Sequence, residues 1–168
     1  MMSFWEFSNA VYVAPGVADE CLNLQDGHGV DVNILLFCAY AAVVAGVRLS
    51  EQDIRDADAH ISALRQSVVI PLRACRRAMK AGIAALHASD HARAEQLRSQ
   101  VKKIELAAEQ FEQERLAAWL TANKHAERSE LPDRLGANLA ALLGPLKRDN
   151  FDCLVPAALV RAALQLSK

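Results

Sequence analysis

Gln25-Asp26-Gly27-His28-Gly29-Val30-Asp31-Val32-Asn33-Ile34-Leu35-Leu36-Phe37-Cys38 runs a polar, glycine-bearing segment straight into the most apolar part of the chain. The apolar run continues to Val47 and predicts a helix over about 31–46 that is hydrophobic nearly all round, hence central to a core. Asp31 suits its N-cap or first turn. Asp26-Gly27 reads as the turn ending a preceding helix at about 16–25, which Pro15 would open as its first residue. An unpaired buried carboxylate is costly, so the acids of this turn need partners. The basic segment Arg73-Ala74-Cys75-Arg76-Arg77-Ala78-Met79-Lys80 is the expected source.

Working outward, Ser3-Phe4-Trp5-Glu6 has the form of a capping box and opens a short first helix. Ser50-Glu51-Gln52-Asp53 opens another. From Ile54, apolar residues recur at 57, 61, 64, 68, 72, 75, 79 and 83, a helical stripe that Pro71 should kink or split. A second stripe follows at Ala94, Leu97, Val101, Ile104, Ala108 and Phe111, then Ala118 beside Trp119. Ser89-Asp90 caps the turn between them, so the two long helices are expected to run antiparallel. The second stripe fits packing against 54–83 and also a dimer seam with apolar a and d positions. Residues 124–130 read as a polar loop, Pro132 starts a helix to Leu143, Gly144-Pro145 stops it, and a last helix covers about 154–166. No strand pattern is present. The expected fold is all-α: a single helical domain with a core over 1–86, a long helix over 90–124 and C-terminal helices over 130–168.

The chain of 168 residues is 52% hydrophobic with a formal net charge of −1, which gives no global electrostatic case for nucleic acid or membrane. Charge is unevenly spread. Residues 1–62 carry nine acids and two bases, and residues 63–103 carry nine bases and two acids. Cys21, Cys38, Cys75 and Cys153 lack metal or redox spacing, and the N-terminus lacks a basic leader, so a reduced, cytoplasmic protein is expected. No metal centre and no cofactor is expected.

Arg65, Arg73, Arg76, Arg77 and Lys80 share one arc of a helical wheel beside the core sector, an array able to hold carboxylates or phosphates. Asp26, Asp31 and Asn33 are oxygen ligands without a known metal-loop spacing, and capping explains both acids. His28 sits in the glycine turn, where it covers the turn or reaches an anion. His87 and His91 flank the Ser89 turn. No Walker loop, GxGxxG, GxSxG or HExxH occurs, and no aromatic interleaves the basic segment as RNA binding would require. The leading expectation is a binding or adaptor protein that meets another bacterial protein, with a homodimer as a further option. The alternative is a small-molecule protein or enzyme that holds an anionic ligand between Asp26, His28, Asp31 and Asn33 and Arg73, Arg76 and Arg77.

Phe4-Trp5-Glu6-Phe7-Ser8, Pro15-Gly16-Val17, Cys21-Leu22-Asn23-Leu24-Gln25-Asp26, Gly29-Val30-Asp31-Val32-Asn33, Leu35-Leu36-Phe37-Cys38 and Val68-Val69-Ile70-Pro71-Leu72-Arg73 with Arg76-Arg77 together resemble a family of short, uncharacterised proteobacterial proteins of about 160 residues. The resemblance covers roughly residues 3–82. A tryptophan expected shortly before Val68 is replaced by Leu64-Arg65. The resemblance implies no activity. It does imply that the polar turn and the Pro-Leu-Arg helix belong to one pattern.

Overall fold

A computed structural model describes residues 2–123, 130–149 and 156–166. The loop expected at 124–130 falls, except for Glu130, outside the described residues, as do Cys153 and the start of the helix expected from 154. The fold is all-α: α1 (Phe4–Tyr12), α2 (Val17–His28), α3 (Val32–Val43), α4 (Glu51–Leu64), α5 (Ile70–Ala84), α6 (His91–Ala122), α7 (Leu131–Leu143) and α8 (Ala157–Gln165). The chain divides into two compact units, one of residues 1–60 with 113–168 and one of residues 61–112. Among the described residues no helix is long and apolar enough to cross a membrane.

The first unit is built around α3. Every residue from Asn33 to Ala42 is buried, and α1, α2, α7 and α8 pack against this helix. Phe4 and Phe7 of α1 meet Tyr40, the Phe4 ring stacked on it with centroids 4.9 Å apart and the Phe7 ring edge-on at 5.7 Å. Phe37 meets Trp119 of α6 edge-on at 6.2 Å. Burial pushes the Tyr40 phenol above its ordinary pKa, and it pushes the Cys21 thiol up to about 11, with the Glu20 charge adding to the rise.

Polar residues inside this unit are matched. Asn138 of α7 is fully buried; it accepts from the Leu49 N–H at 2.7 Å and donates to the carbonyls of Cys38 and Val47 at 3.1 and 3.0 Å. It thereby ties the segment after α3 to α7. Glu20 caps α8 from α2, its carboxylate accepting from the N–H groups of Ala158 and Leu159 at 2.8–3.0 Å. A carboxylate is favoured at that end of a helix.

The expected caps of α1, α3 and α4 form. Ser3 Oγ accepts from the Glu6 N–H while Glu6 accepts from the Ser3 N–H at 2.8 Å. Asp31 accepts from the Ile34 N–H at 3.1 Å, and Ser50 and Asp53 reproduce the capping box. Both boundaries of the second helix differ from expectation, and α3 ends at Val43, short of the expected 46. The second helix starts at Val17, not at Pro15, because Gly16 takes a left-handed φ of 82° as its N-cap. It also runs through Asp26 and Gly27 to His28, and Gly29 is the residue that turns left-handed, at φ 67°. The reason is the apolar pair around the cap. With Gly29 as the turn, the Val30 N–H reaches the Leu24 carbonyl at 3.2 Å and both side chains are buried. A stop at Gly27 would instead have set His28 against Leu22, which is 43% exposed.

The two glycines should therefore respond oppositely to alanine. Gly27→Ala adds a helix-favouring residue where its Cβ meets nothing within 4 Å and should stabilise the protein by up to about 1 kcal/mol. Gly29→Ala, forced to a positive φ, should cost about 1–2 kcal/mol. Urea unfolding of the two variants checks both signs.

Candidate functional site

The second unit is a hairpin made from the end of α4, a wide π-helical turn (Arg65–Val69), α5, a short turn, and α6 up to Glu112. Pro71 accounts for the π turn. It has no N–H to give and its ring crowds the preceding turn, so the helix widens just before it and the Ile70 N–H bonds back to the Arg65 carbonyl. The chain stays helical through the proline. At the tip, His87 caps the Ala88–Asp90 turn, its Nδ1 lying 2.9 Å from Ser89 Oγ, and His91 Nε2 lies 3.1 Å from the Leu86 carbonyl. Both histidines are turn residues, in line with their spacing around Ser89.

A ladder of ion pairs joins the two sides of the hairpin. Arg65 Nε donates to Glu112 Oε1 at 3.0 Å. Arg73 pairs with Glu109 and, at 3.6 Å, with Glu105. Arg76 holds both Glu105 oxygens, its Nη2 at 3.1 Å from Oε1. As the arginine numbers climb the glutamate numbers fall, which is the signature of antiparallel neighbours. Glu112 is fully buried and Glu105 is 4% exposed, and the hydrogen bond that Arg76 donates to Glu105 raises the Arg76 pKa above its ordinary value.

The expected core stripe of α6 is rotated away from this line. Glu105 and Glu112 lie deepest in the α6 part of the unit, whereas Leu97, Ile104 and Phe111 are 51%, 56% and 49% exposed. The intramolecular packing expected of that stripe is therefore replaced at the hairpin seam by charge. Acids one position beyond apolar residues were the available sign of it.

The seven candidate residues divide between the units. In the first, Asp26 is exposed in the last turn of α2 with Gln25 Nε2 at 3.5 Å, His28 ends the same helix, and Asp31 caps α3. Asn33 is 8% exposed and accepts from Gln113 Nε2 at 2.9 Å, while Gln113 Oε1 accepts from Ser8 at 2.8 Å. Asn33 thus serves a buried amide network, and Gln113 was not foreseen. In the second unit, Arg73 and Arg76 are gripped by Glu105 and Glu109 in place of the expected Asp26 and Asp31. Arg77 is exposed.

Arg77 belongs to a different surface. With Arg76 and Glu105 marking the inner line, Lys80 and Arg77 lie about 40–100° to one side on α5, and Lys102 and Lys103 about 60–160° to the same side of the hairpin on α6. All four are exposed. The antiparallel register puts Arg77 level with Lys103 and Lys80 close to the level of Lys102. The nearby acid Glu95 is matched by Arg98 at 3.1 Å. The result is a patch of one sign with its charges free to meet an acidic surface. Among the described residues no group of three or more His, Cys, Asp or Glu side chains is placed to hold a metal ion.

Removing one member of the ladder should be severe and removing Arg77 mild. Glu105→Ala strands the Arg76 guanidinium, while Arg73 keeps Glu109, and should cost about 3 kcal/mol, whereas Arg77→Ala should change stability by no more than about 0.5 kcal/mol. Chemical denaturation of the two variants measures the contrast.

Residues 3–116 match the model of a family described as protein of unknown function (DUF2390), well past the point at which the motifs end. Since the match spans more than half of the sequence, the chain belongs to that family. No curated protein and no solved structure matches it.

Proposed function

We propose that this member of the DUF2390 family is a helical adaptor that recruits another protein through the basic face of its hairpin. The partner it fits is an acidic surface, such as a helix or loop rich in Asp and Glu. The observation that carries this reading is the division of labour among the cations. Arg65, Arg73 and Arg76 are committed to buried or half-buried glutamates, whereas Arg77, Lys80, Lys102 and Lys103 stand exposed on one side of a two-helix frame. Exposed cations spread along two helices suit steering and docking of a large partner. An anion held by Arg73 and Arg76 would have to displace Glu105 and Glu109 first, which weighs against the small-ligand reading.

The test compares wild-type protein with Arg77→Glu/Lys103→Glu, each purified gently at low salt from the native host and examined by native mass spectrometry. Wild type should carry one protein at fixed stoichiometry, released as salt is raised across the range where exposed charges are screened. The variant should lose it with its helical circular dichroism intact. A variant that keeps the same partner overturns the proposal, and so does a wild type that emerges bare. A small anion bound in place of a protein would carry the ligand reading instead.

A further inference from the structure

The hairpin has a second face that the basic patch does not use. On α5, Leu72, Cys75 and Met79 are rotated about 40–100° from the Arg76 line, in the sense opposite to Arg77 and Lys80. On α6, Val101, Ile104, Ala108 and Phe111 are rotated by about the same amount and in the same sense from the Glu105 line. On antiparallel helices, equal rotations of one hand bring both rows to the same side. The register of the ion pairs also sets them level, Leu72 with Ala108, Cys75 with Ile104, and Met79 with Val101. Cys75, Leu97, Ile104 and Phe111 are exposed, and Leu72, Met79, Val101 and Ala108 are half-buried. No residue of this sector carries a charge from Leu72 to Leu86 on α5 or from Ala94 to Phe111 on α6.

We propose that this apolar face is the interface of a homodimer, in which the hairpins of two copies stack face to face as a four-helix bundle. Four features favour a second copy over an unrelated partner. Leu97, Ile104 and Phe111 recur every seven residues, with Val101 and Ala108 between them, which is the a/d pattern of a seam that packs on its own kind. A small residue at the edge of the α5 side, Gly82, leaves room for knobs from across, since a Cβ there would meet nothing within 4 Å. A face without charge has nothing to offer a charged partner, and homodimer interfaces are the most apolar class. Stacking these faces also turns the two basic patches outward, so no like charges are brought together.

Size agrees. The face runs from Val68 to Leu86, about 27 Å at the helical rise, and is two helices or about 20 Å wide. Its planar footprint of roughly 500 Å² rises with side-chain relief toward the about 800 Å² per partner of a stable interface.

Sedimentation equilibrium at micromolar concentrations should return twice the 18.3 kDa chain mass. Ile104→Glu on α6 and Gly82→Glu on α5, both at exposed positions, should each return the monomer with unchanged circular dichroism. Maleimide labelling of Cys75, followed by peptide mass spectrometry, should be at least tenfold faster in either variant than in wild type. Arg77→Glu/Lys103→Glu should remain a dimer, which separates this interface from the adaptor surface. A monomeric wild type overturns the proposal. So does a dimer that survives both glutamate variants, or Cys75 labelling that is equally fast in all of them, which would place a different occupant or none on this face.

Discussion

From Asn33 to Ala42, α3 has no side that faces water, and a helix of that kind must be enclosed. The first unit follows from this demand. α1, α2, α7 and α8 supply the enclosure, and their apolar stripes are short because each covers only part of the circumference. Enclosure also explains the polar side chains found inside. Asn33, on a helix that cannot turn it outward, needs Gln113, and Gln113 in turn takes up Ser8. Asn138 meets the backbone groups exposed where the chain leaves α3. A buried amide left without these bonds would cost more than the bonds themselves contribute.

The hairpin solves a different problem. Two helices alone have too little apolar surface to enclose a core, and here their facing sides carry arginine and glutamate. Such pairs add little net stability, because desolvating the charges offsets much of their attraction. They are selective, however. Sliding α6 by one turn would leave Glu112 buried without Arg65 and Glu105 without Arg76. The ladder therefore sets the register, and the register lines up both the basic residues and the apolar rows.

How much of this was legible in the chain depended on distance along it. Ser3 with Glu6, Asp31 with Ile34, and Ser50 with Asp53 are contacts within one turn, and their residue types announce them. The all-α fold and the antiparallel hairpin followed from periodicity and turn length. The end of α2 was misplaced by two residues because Gly27 and Gly29 are equivalent until the Leu24–Val30 pair is weighed. The polar turn and the basic helix were expected to share a site because their charges are opposite, yet opposite charge does not name a partner. Glu105, Glu109 and Glu112 have the same sign as Asp26 and Asp31 and face the arginines across the hairpin. They went unnoticed because hydrophobic periodicity assigned the inner face of α6 to Leu97, Ile104 and Phe111. Gln113 and Asn138, bonded across 80 to 105 residues, had no local sign at all.

The reach of Glu20 bears on the order in which the chain acquires structure. Its carboxylate closes on backbone 138 and 139 residues away, so α8 cannot be capped until residue 159 has been synthesised. The hairpin pairs residues only 29 to 47 apart, and closing short loops is faster. On the ribosome the partners within the 61–112 segment have all been made while the bundle around α3 still lacks α7 and α8. During that interval the most apolar helix of the protein waits for its cover.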